Sequence, residues 1–468
     1  KFTRFWQEHL VRVAPGLKLR GCLVAAVPLL AQVKTLESAR NVFRYLAHDA
    51  AEVAPDTELG DLAVTALFGM AADEDINAWL KAEAFAMEDL TPTRLYVYAA
   101  MAGGLQLVQD RKRLGYLLKS KSEPIAIAAT ASLVQLGKKD GAREVARLLS
   151  RRRGYDLISY RIKLLDAIAR SATDSGVGIL VRLLKSKDED LRAVVMGSLG
   201  VAANNKLAIE GLVKGLMDNN SRVRASALRS LEGVVKRVGG SVIMIGPLIA
   251  YLDLEKQYRL RVDALNLLVR VSGHNMGLVT ADWKKWWAEE KDRFVAQTSL
   301  EAAQTAVKAH DLSYFGIEIT SKRMAFLLDV SNSMLAKARG PEARKLGLSK
   351  LDVMKAELAK VVGKLPLGAG INIMIFDRTI RVWEKSLKIL TRTVRKKALA
   401  YAKGLTTGGG TNIFDTVERA LKDPLVDTIY LLTDGAATTG RFKDADGMLK
   451  GIQEFNRTRG ITIHCIAF

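Results

Sequence analysis

The stretch Asp329-Val330-Ser331-Asn332-Ser333 sets a carboxylate and two hydroxyls at alternate positions, directly after the apolar run MAFLL at 324–328. A short apolar run of that kind predicts a buried strand. Three oxygen ligands then leave the strand end together and can turn toward one point. Hard oxygen donors suit Mg²⁺, which keeps several waters and takes few protein carboxylates. Two later segments add donors. Gly408-Gly409-Gly410-Thr411-Asn412 carries a hydroxyl on a tight glycine loop, and Ile429-Tyr430-Leu431-Leu432-Thr433-Asp434-Gly435 ends a second strand in Asp-Gly. The candidate metal ligands are therefore Asp329, Ser331, Ser333, Thr411 and Asp434. Mn²⁺ accepts the same octahedral oxygen sites as Mg²⁺, and Ca²⁺ shares the ligand chemistry.

A metal beside two carboxylates can support hydrolysis or phosphoryl transfer. The rest of such an enzyme is missing from the sequence: there is no P-loop, no G-x-S-x-G, and no His/Cys cluster with zinc spacing. The five histidines, His9, His48, His274, His310 and His464, are scattered and pair with no motif. The glycine run at 407–410 lacks the Lys-Ser/Thr of a phosphate cradle. The expectation is a binding site with no catalytic residue.

The three segments, in this order and each after the right kind of element, resemble the von Willebrand factor A (VWA) domain and its metal-ion-dependent adhesion site, D-x-S-x-S, then T, then D. The resemblance covers roughly residues 318–468. It implies that Ser331 and Ser333 bind the metal through their hydroxyls and Thr411 directly or through water. Asp329 and Asp434 would hold the metal partly through bound waters, with a partner's carboxylate completing the coordination. A dication held by two carboxylates and neutral hydroxyls retains little net charge and gains from one more anionic oxygen. Asn332 departs from the pattern, since many relatives carry Gly there; Asn also tolerates tight turns.

Residues so far apart can share an ion only if a sheet brings them to one edge. Strand and helix signals alternate through this part, which predicts a parallel, doubly wound, Rossmann-like α/β sheet. Helices are expected at 351–365, 394–404 and 414–421, and strands at 370–376, 427–432 and 461–468. A short edge strand is expected at 381–387, and an extra strand at 314–319 leading into the sheet. The VWA pattern continues with a further helix and strand, so the domain is expected to be truncated at Phe468.

Residues 1–293 read differently, as a repeat array. A leucine pair, a polar turn and an alanine-rich helix recur, as in Leu183-Leu184-Lys185-Ser186-Lys187-Asp188 before Leu191-Arg192-Ala193, and Leu216-Met217-Asp218-Asn219-Asn220 before Val223-Arg224-Ala225. The period is about 31 to 35 residues, the length of two short helices and two turns. The recurrent D/N-x-x-V/L-R-x-x-A-L shape resembles HEAT repeats in a short form, although their usual period is about 40. Such pairs bury their apolar faces only by stacking, so an all-α solenoid is expected. Trp283, Trp286 and Trp287 share one helix face and are expected to cap its end. Residues 294–317 form a connector. Bacterial proteins with HEAT repeats before a VWA domain look similar, including the Tyr-Phe-Gly-Ile lead-in at 314–317.

The chain of 468 residues carries a net charge of +21, which favours an acidic partner. Roughly half of that excess falls in the VWA-like third. An acidic protein is the expected partner, bound by a non-enzymatic adaptor or scaffold. RNA is the alternative: Arg111-Lys112-Arg113, Arg151-Arg152-Arg153 and Arg392, Arg395, Lys396 and Lys397 could track phosphates. Ro-type RNA-binding proteins also resemble this plan of a helical-repeat ring joined to a VWA domain. Cys22 and Cys465 exclude a disulfide framework and are expected to be buried thiols. No apolar run approaches the ~20 residues that span a bilayer. Residues 22–33 faintly mimic a signal peptide but are expected to form a buried helix, and the compartment stays open between cytoplasmic and exported.

Overall fold

The computed structural model describes residues 20–47, 54–85, 90–137, 145, 149, 156–170, 173–294 and 312–467. The chain divides into two compact units. One comprises Lys1–Lys185 with Val201–Ala208, the other Ser186–Gly200 with Ile209–Phe468.

The first unit is helical. Helix α1 (Arg20–Val33) buries Leu23, Ala26, Val27 and Leu30, so the segment that mimics a signal peptide is a core helix with one apolar face. Helices α2 (Leu36–Tyr45), α3 (Thr57–Met70), α4 (Glu74–Trp79), α5 (Pro92–Met101), α6 (Arg111–Leu117), α7 (Glu123–Gln135), α8 (Asp156–Arg170) and α9 (Asp174–Leu183) follow. Side-chain caps start several of them. Thr35 and Ser38 form a reciprocal capping box on α2, Asp56 caps α3, and Thr91 caps α5 ahead of Pro92, each satisfying backbone N–H groups that the helix leaves open. Helix α1 packs on α3, α3 on α5, α5 on α7, and α7 on α8. That row is what short helix pairs produce when each must bury its face on the next.

The second unit begins with further helix pairs. Helix α10 (Glu189–Val201) precedes α11 (Lys206–Gly215) and α12 (Ser221–Val238), then α13 (Ile245–Leu254) pairs with α14 (Tyr258–Ser272). The recurrent arginine has a structural task. Arg192 forks onto both carboxylate oxygens of Asp218, at 2.7 and 3.0 Å, and donates to the Ser186 carbonyl of its own turn. One repeat on, Arg224 reaches Glu255 at 2.8 Å and the Asp218 carbonyl. In α15 (Thr280–Glu290), Trp283 is fully buried and its indole N–H donates to the Gly277 carbonyl, while Trp286 and Trp287 pack with Phe294. The cluster thus covers α13, against which α15 packs.

A small antiparallel hairpin, β1 (Ser313–Tyr314) and β2 (Ile317–Glu318), comes next. It stands apart from the main sheet, correcting the expectation of one extra strand. Phe315 and Gly316 both take positive φ, 49° and 79°, the geometry of a two-residue turn that folds such a strand back on itself. The main sheet has the order β5-β4-β3-β7-β8, with β6 also on β4. Strands β3 (Arg323–Asp329), β4 (Gly370–Phe376), β7 (Thr428–Thr433) and β8 (Thr462–Ala467) run parallel, while β5 (Ile380–Val382) and β6 (Lys388–Ile389) are antiparallel to β4. The single edge strand expected at 381–387 is therefore two short ones. Alternate residues of β3 and β4 face opposite layers. Phe326, Leu328 and Ile373 pack with α17 (Lys350–Lys364) and α18 (Arg392–Lys403); Ala325, Leu327 and Met374 pack with α19 (Ile413–Leu421). Helix α16 (Pro341–Leu346) and α20 (Ala445–Asn456) complete the elements.

The loop before β8 meets the helices. Ser226 donates to the Arg457 carbonyl, and Arg259 to Thr462 at 3.0 Å. Gly460 holds φ of 64°, and a Cβ there would come within 2.9 Å of Ala225, so only glycine suits both the turn and the close approach. Cys22 and Cys465 are free and exposed, against expectation. Cys22 falls on the outer side of α1, and Cys465 lies on β8, the outermost strand on its side of the sheet among the described residues. Among the described residues no helix is long and apolar enough to cross a membrane.

Candidate metal centre

Strand β3 is buried along nearly its whole length and ends at Asp329, which is fully buried. Its Oδ1 accepts the Ser331 backbone N–H at 2.8 Å, and its Oδ2 accepts the Thr433 hydroxyl at 2.6 Å. Asp329 thus ties the ends of β3 and β7 together. The chain then bends into a short 3-10 turn, Asn332–Leu335, closed by the Met334 N–H on the Ser331 carbonyl. That bend aligns the two serines: their hydroxyl oxygens lie 2.9 Å apart, and Ser333 donates to Asp434 Oδ1 at 2.7 Å. A carboxylate from one strand end and two hydroxyls from another therefore converge across a hundred residues of chain.

The glycine loop is stitched to the same edge. The Gly408 N–H donates to the Val330 carbonyl, and Ser331 and Gly408 form an isolated parallel bridge. Gly410 has φ of 83°, a conformation that excludes most side chains. Thr411 follows, buried, its backbone N–H bonded to Thr438 Oγ1 and its carbonyl to the Thr438 N–H. Its hydroxyl shares no hydrogen bond with the serines or aspartates. Asp329, Ser331, Ser333 and Asp434 are thus joined in one network, with Thr411 at its side.

Three neighbours carried no signal that the sequence reading used. Thr433 bonds Asp329. Lys350, the first residue of α17, sets its ammonium 2.7 Å from Asp434 Oδ2, and the Asp434 side chain is 1% exposed. Asp377, just after β4, accepts from the Thr379 N–H and hydroxyl and from Arg381. Burial alone would raise the Asp377 carboxyl, but those bonds outweigh it and hold the group below the usual carboxylate range. Asp377 shapes the loop and has no bond to the network. A residue at a strand's end, as Thr433 is, or just past it, as Asp377 is, could have been suspected from sequence; Lys350 could not.

The donor chemistry fits a hard dication, since two carboxylates and hydroxyls offer oxygen alone. Among the described residues no group of three or more His, Cys, Asp or Glu side chains converges, which leaves hydroxyl-rich sets such as this one. Of the basic candidates, Arg392, Lys396 and Lys397 are exposed on α18, and Arg395 donates to the Leu365 carbonyl. Arg151, Arg152 and Arg153 lie outside the described residues. A separate polar cavity of about 280 Å³ lies between α12, α14 and β8, far along the chain from these ligands. Its Arg259 is already bonded to Asp263, Thr462 and the Gly460 carbonyl.

The ligands sit at the carboxyl ends of β3 and β7. The chain winds from β3 to β4 on one side and returns to place β7 on the other. Open α/β sheets bind ligands at such a switch point. A helix-rich N-terminal region followed by this mostly parallel sheet is consistent with a VWA-like domain. No family model matches the chain. It is 26% identical over 161 residues to human inter-alpha-trypsin inhibitor heavy chain H4, covering 32% of this chain and 16% of that relative. Several solved structures are similar, among them the following three. A von Willebrand factor type A structure from Catenulispora acidiphila is 19% identical, over 32% of this chain and 34% of that one, with a TM-score of 0.26. An engineered protein is 16% identical over 64% and 91%, with a TM-score of 0.24. Human deoxyhypusine hydroxylase is 14% identical over 52% and 99%, with a TM-score of 0.21. At such scores the strand order, and not the superposition, defines the fold.

Proposed function

We propose that the chain is a non-enzymatic adaptor whose VWA-like domain binds a partner's carboxylate at a divalent cation held by Asp329, Ser331, Ser333, Thr411 and Asp434. VWA domains are generally protein-interaction modules. The observation that carries the reading is the contact of Ser331, Ser333 and Asp434 at the β3/β7 edge. Bound there, a Mg²⁺ or Mn²⁺ would supply an open coordination position for an anionic oxygen. The protein's own part is to hold the oxygens in register, through Asp329 on the Ser331 N–H and Thr433. The segment after Ser333 adds charge of the right sign: Lys337 and Arg339 on the loop and Arg344 and Lys345 on α16 are exposed, a basic rim suited to an acidic protein. Stacked helix pairs of the kind the sequence resembles would serve as the scaffold part. The RNA alternative draws less support from its own residues: Arg111, Arg113 and Arg395 donate to the backbone carbonyls of Leu136, Phe85 and Leu365, which leaves Lys112, Arg392, Lys396 and Lys397 as its exposed cations among the described candidates.

A pull-down from native lysate with Mg²⁺, with EDTA, and with nuclease tests this, run in parallel with Asp329→Ala. A protein kept through nuclease but lost with EDTA and with the variant supports the adaptor. RNA retained through EDTA, falling steeply with salt, would transfer the function to the basic helices.

A further inference from the structure

Lys350 is out of place for a helix. It is the first residue of α17, directly after the Ser349 cap, and no other cation occupies that first turn. A positive charge there opposes the helix dipole, so the helix gives no reason for it. The carboxylate does. The ammonium lies 2.7 Å from Asp434 Oδ2, while Ser333 takes Asp434 Oδ1. Both oxygens of a nearly inaccessible carboxylate are thereby used inside the protein. The lysine backbone is fixed as well: its N–H donates to the Ala336 carbonyl, and Lys337 bridges Ser349. Those bonds fasten the start of α17 to the loop that carries Ser331 and Ser333. The side chain itself is held by a single contact on a flexible four-carbon stem, and it is 16% exposed.

We propose that Lys350 is a built-in competitor for the divalent cation, its ammonium compensating Asp434 until it is displaced. This rests on the metal reading above. With Lys350 in place the network of Asp329, Asp434 and Lys350 carries a net charge of −1; adding a dication without moving the lysine would make it +1, and moving the lysine out would make it neutral. Like charges inside a poorly solvated site repel strongly, so Lys350 leaves Asp434 as the cation arrives. Two consequences follow. The free site binds metal weakly, and a partner's carboxylate, by adding one negative charge, tightens it. The freed ammonium then joins the basic rim at Lys337, Arg339, Arg344 and Lys345, facing an acidic partner.

The test is a Mn²⁺ titration of the full chain by calorimetry, comparing wild type, Lys350→Met and Asp329→Ala. Lys350→Met is expected to bind Mn²⁺ at least about 10-fold tighter than wild type, because the competing charge is gone. In wild type, Lys350 should also become more reactive toward an amine-acylating reagent, read by mass spectrometry, as Mn²⁺ is added. That second readout stands if Lys350→Met does not fold. Equal or weaker binding by Lys350→Met, or an acylation rate at Lys350 that ignores Mn²⁺, overturns the competition while leaving the metal reading intact. Absence of Mn²⁺ binding in all three proteins overturns both. Binding by Asp329→Ala equal to wild type would locate the metal elsewhere and also overturn both.

Discussion

Two ion pairs of the same length sit in different parts of this molecule. Arg192 meets Asp218 at 2.7 Å among the helix pairs, and Lys350 meets Asp434 at 2.7 Å at the sheet edge. The first is a bidentate fork, and its guanidinium also takes a backbone carbonyl of its own turn. Each of its three nitrogens donates to a fixed acceptor, which suits a joint between helix pairs. The second is a single contact from a flexible amine to a carboxylate that already holds a serine hydroxyl. Arg and Lys are not interchangeable at such places, because one is preorganised and the other is a mobile point charge. Distance alone would rank the two pairs as equals. Their surroundings make one a joint and the other replaceable.

The sharpest way to break that contrast is at Asp329. In Asp329→Ala the Ser331 N–H and the Thr433 hydroxyl lose their acceptor in a buried setting. We expect a loss of about 2 to 4 kcal/mol in stability and a loss of Mn²⁺ affinity of about 100-fold or more, read by denaturant unfolding and calorimetry. Arg192→Ala should act on the other side only. It leaves the Asp218 carboxylate without its guanidinium, costing about 2 kcal/mol after allowance for partial exposure, with Mn²⁺ affinity unchanged. A change in Mn²⁺ affinity in Arg192→Ala would dissolve the distinction.

A smaller effect sharpens it through pH. Burial would raise the Glu255 carboxyl, but bonds from Arg224, the Gln257 N–H and Tyr251 outweigh it and hold it below its ordinary value of 4.5. A carboxyl depressed in the folded state contributes stability that is present above the unfolded value and lost as pH falls through the folded one. The helix pairs should therefore weaken as pH drops below about 4.5. Unfolding curves of Glu255→Gln at pH 7 and pH 3.5 should show less of this pH dependence than wild type.

Much of the fold was legible because its signals are local. The runs MAFLL and GINIMIF are too apolar to be anything but buried, and each became a strand within the doubly wound sheet. The helix pairs followed from the leucine and arginine spacing, although that spacing says nothing of which acid each arginine meets. The candidate ligands were legible as donors because D-x-S-x-S places them on alternate residues. Lys350 was not, because its role depends on a hairpin-like loop that returns α17 to the β3 end, and no local pattern announces that contact. The two cysteines failed for a similar reason: an apolar segment has an outside face, and only the packed structure tells which residues fall on it. The helix Ala445–Asn456 was unreadable since Gly447 and Gly451 interrupt it; both are explained by packing, as a Cβ at Gly451 would come within 2.6 Å of Phe414.

Asn332 supplies the last and smallest test of how the sheet edge is built. The adhesion-site pattern that this stretch resembles often has glycine there, which suggests a backbone that needs freedom, and asparagine is a common substitute where φ is positive. Here it needs none. Asn332 opens the 3-10 turn and is absent from the non-glycine residues with positive φ, which are Lys34, Gln106 and Phe315. The turn is held instead by Asp329 on the Ser331 N–H and by the Met334 and Ala336 N–H groups on Ser331 and Ser333. Replacing Asn332 with glycine would add freedom to the unfolded chain and relieve no strain in the folded one. We expect Asn332→Gly to lose about 0.5 to 1 kcal/mol with Mn²⁺ affinity within about 2-fold of wild type. A gain in stability, or a large gain in affinity, would mean that backbone freedom and not the hydrogen-bonded frame limits the site. The edge would then be mobile in its main chain as well as in the one side chain, Lys350, assigned that freedom.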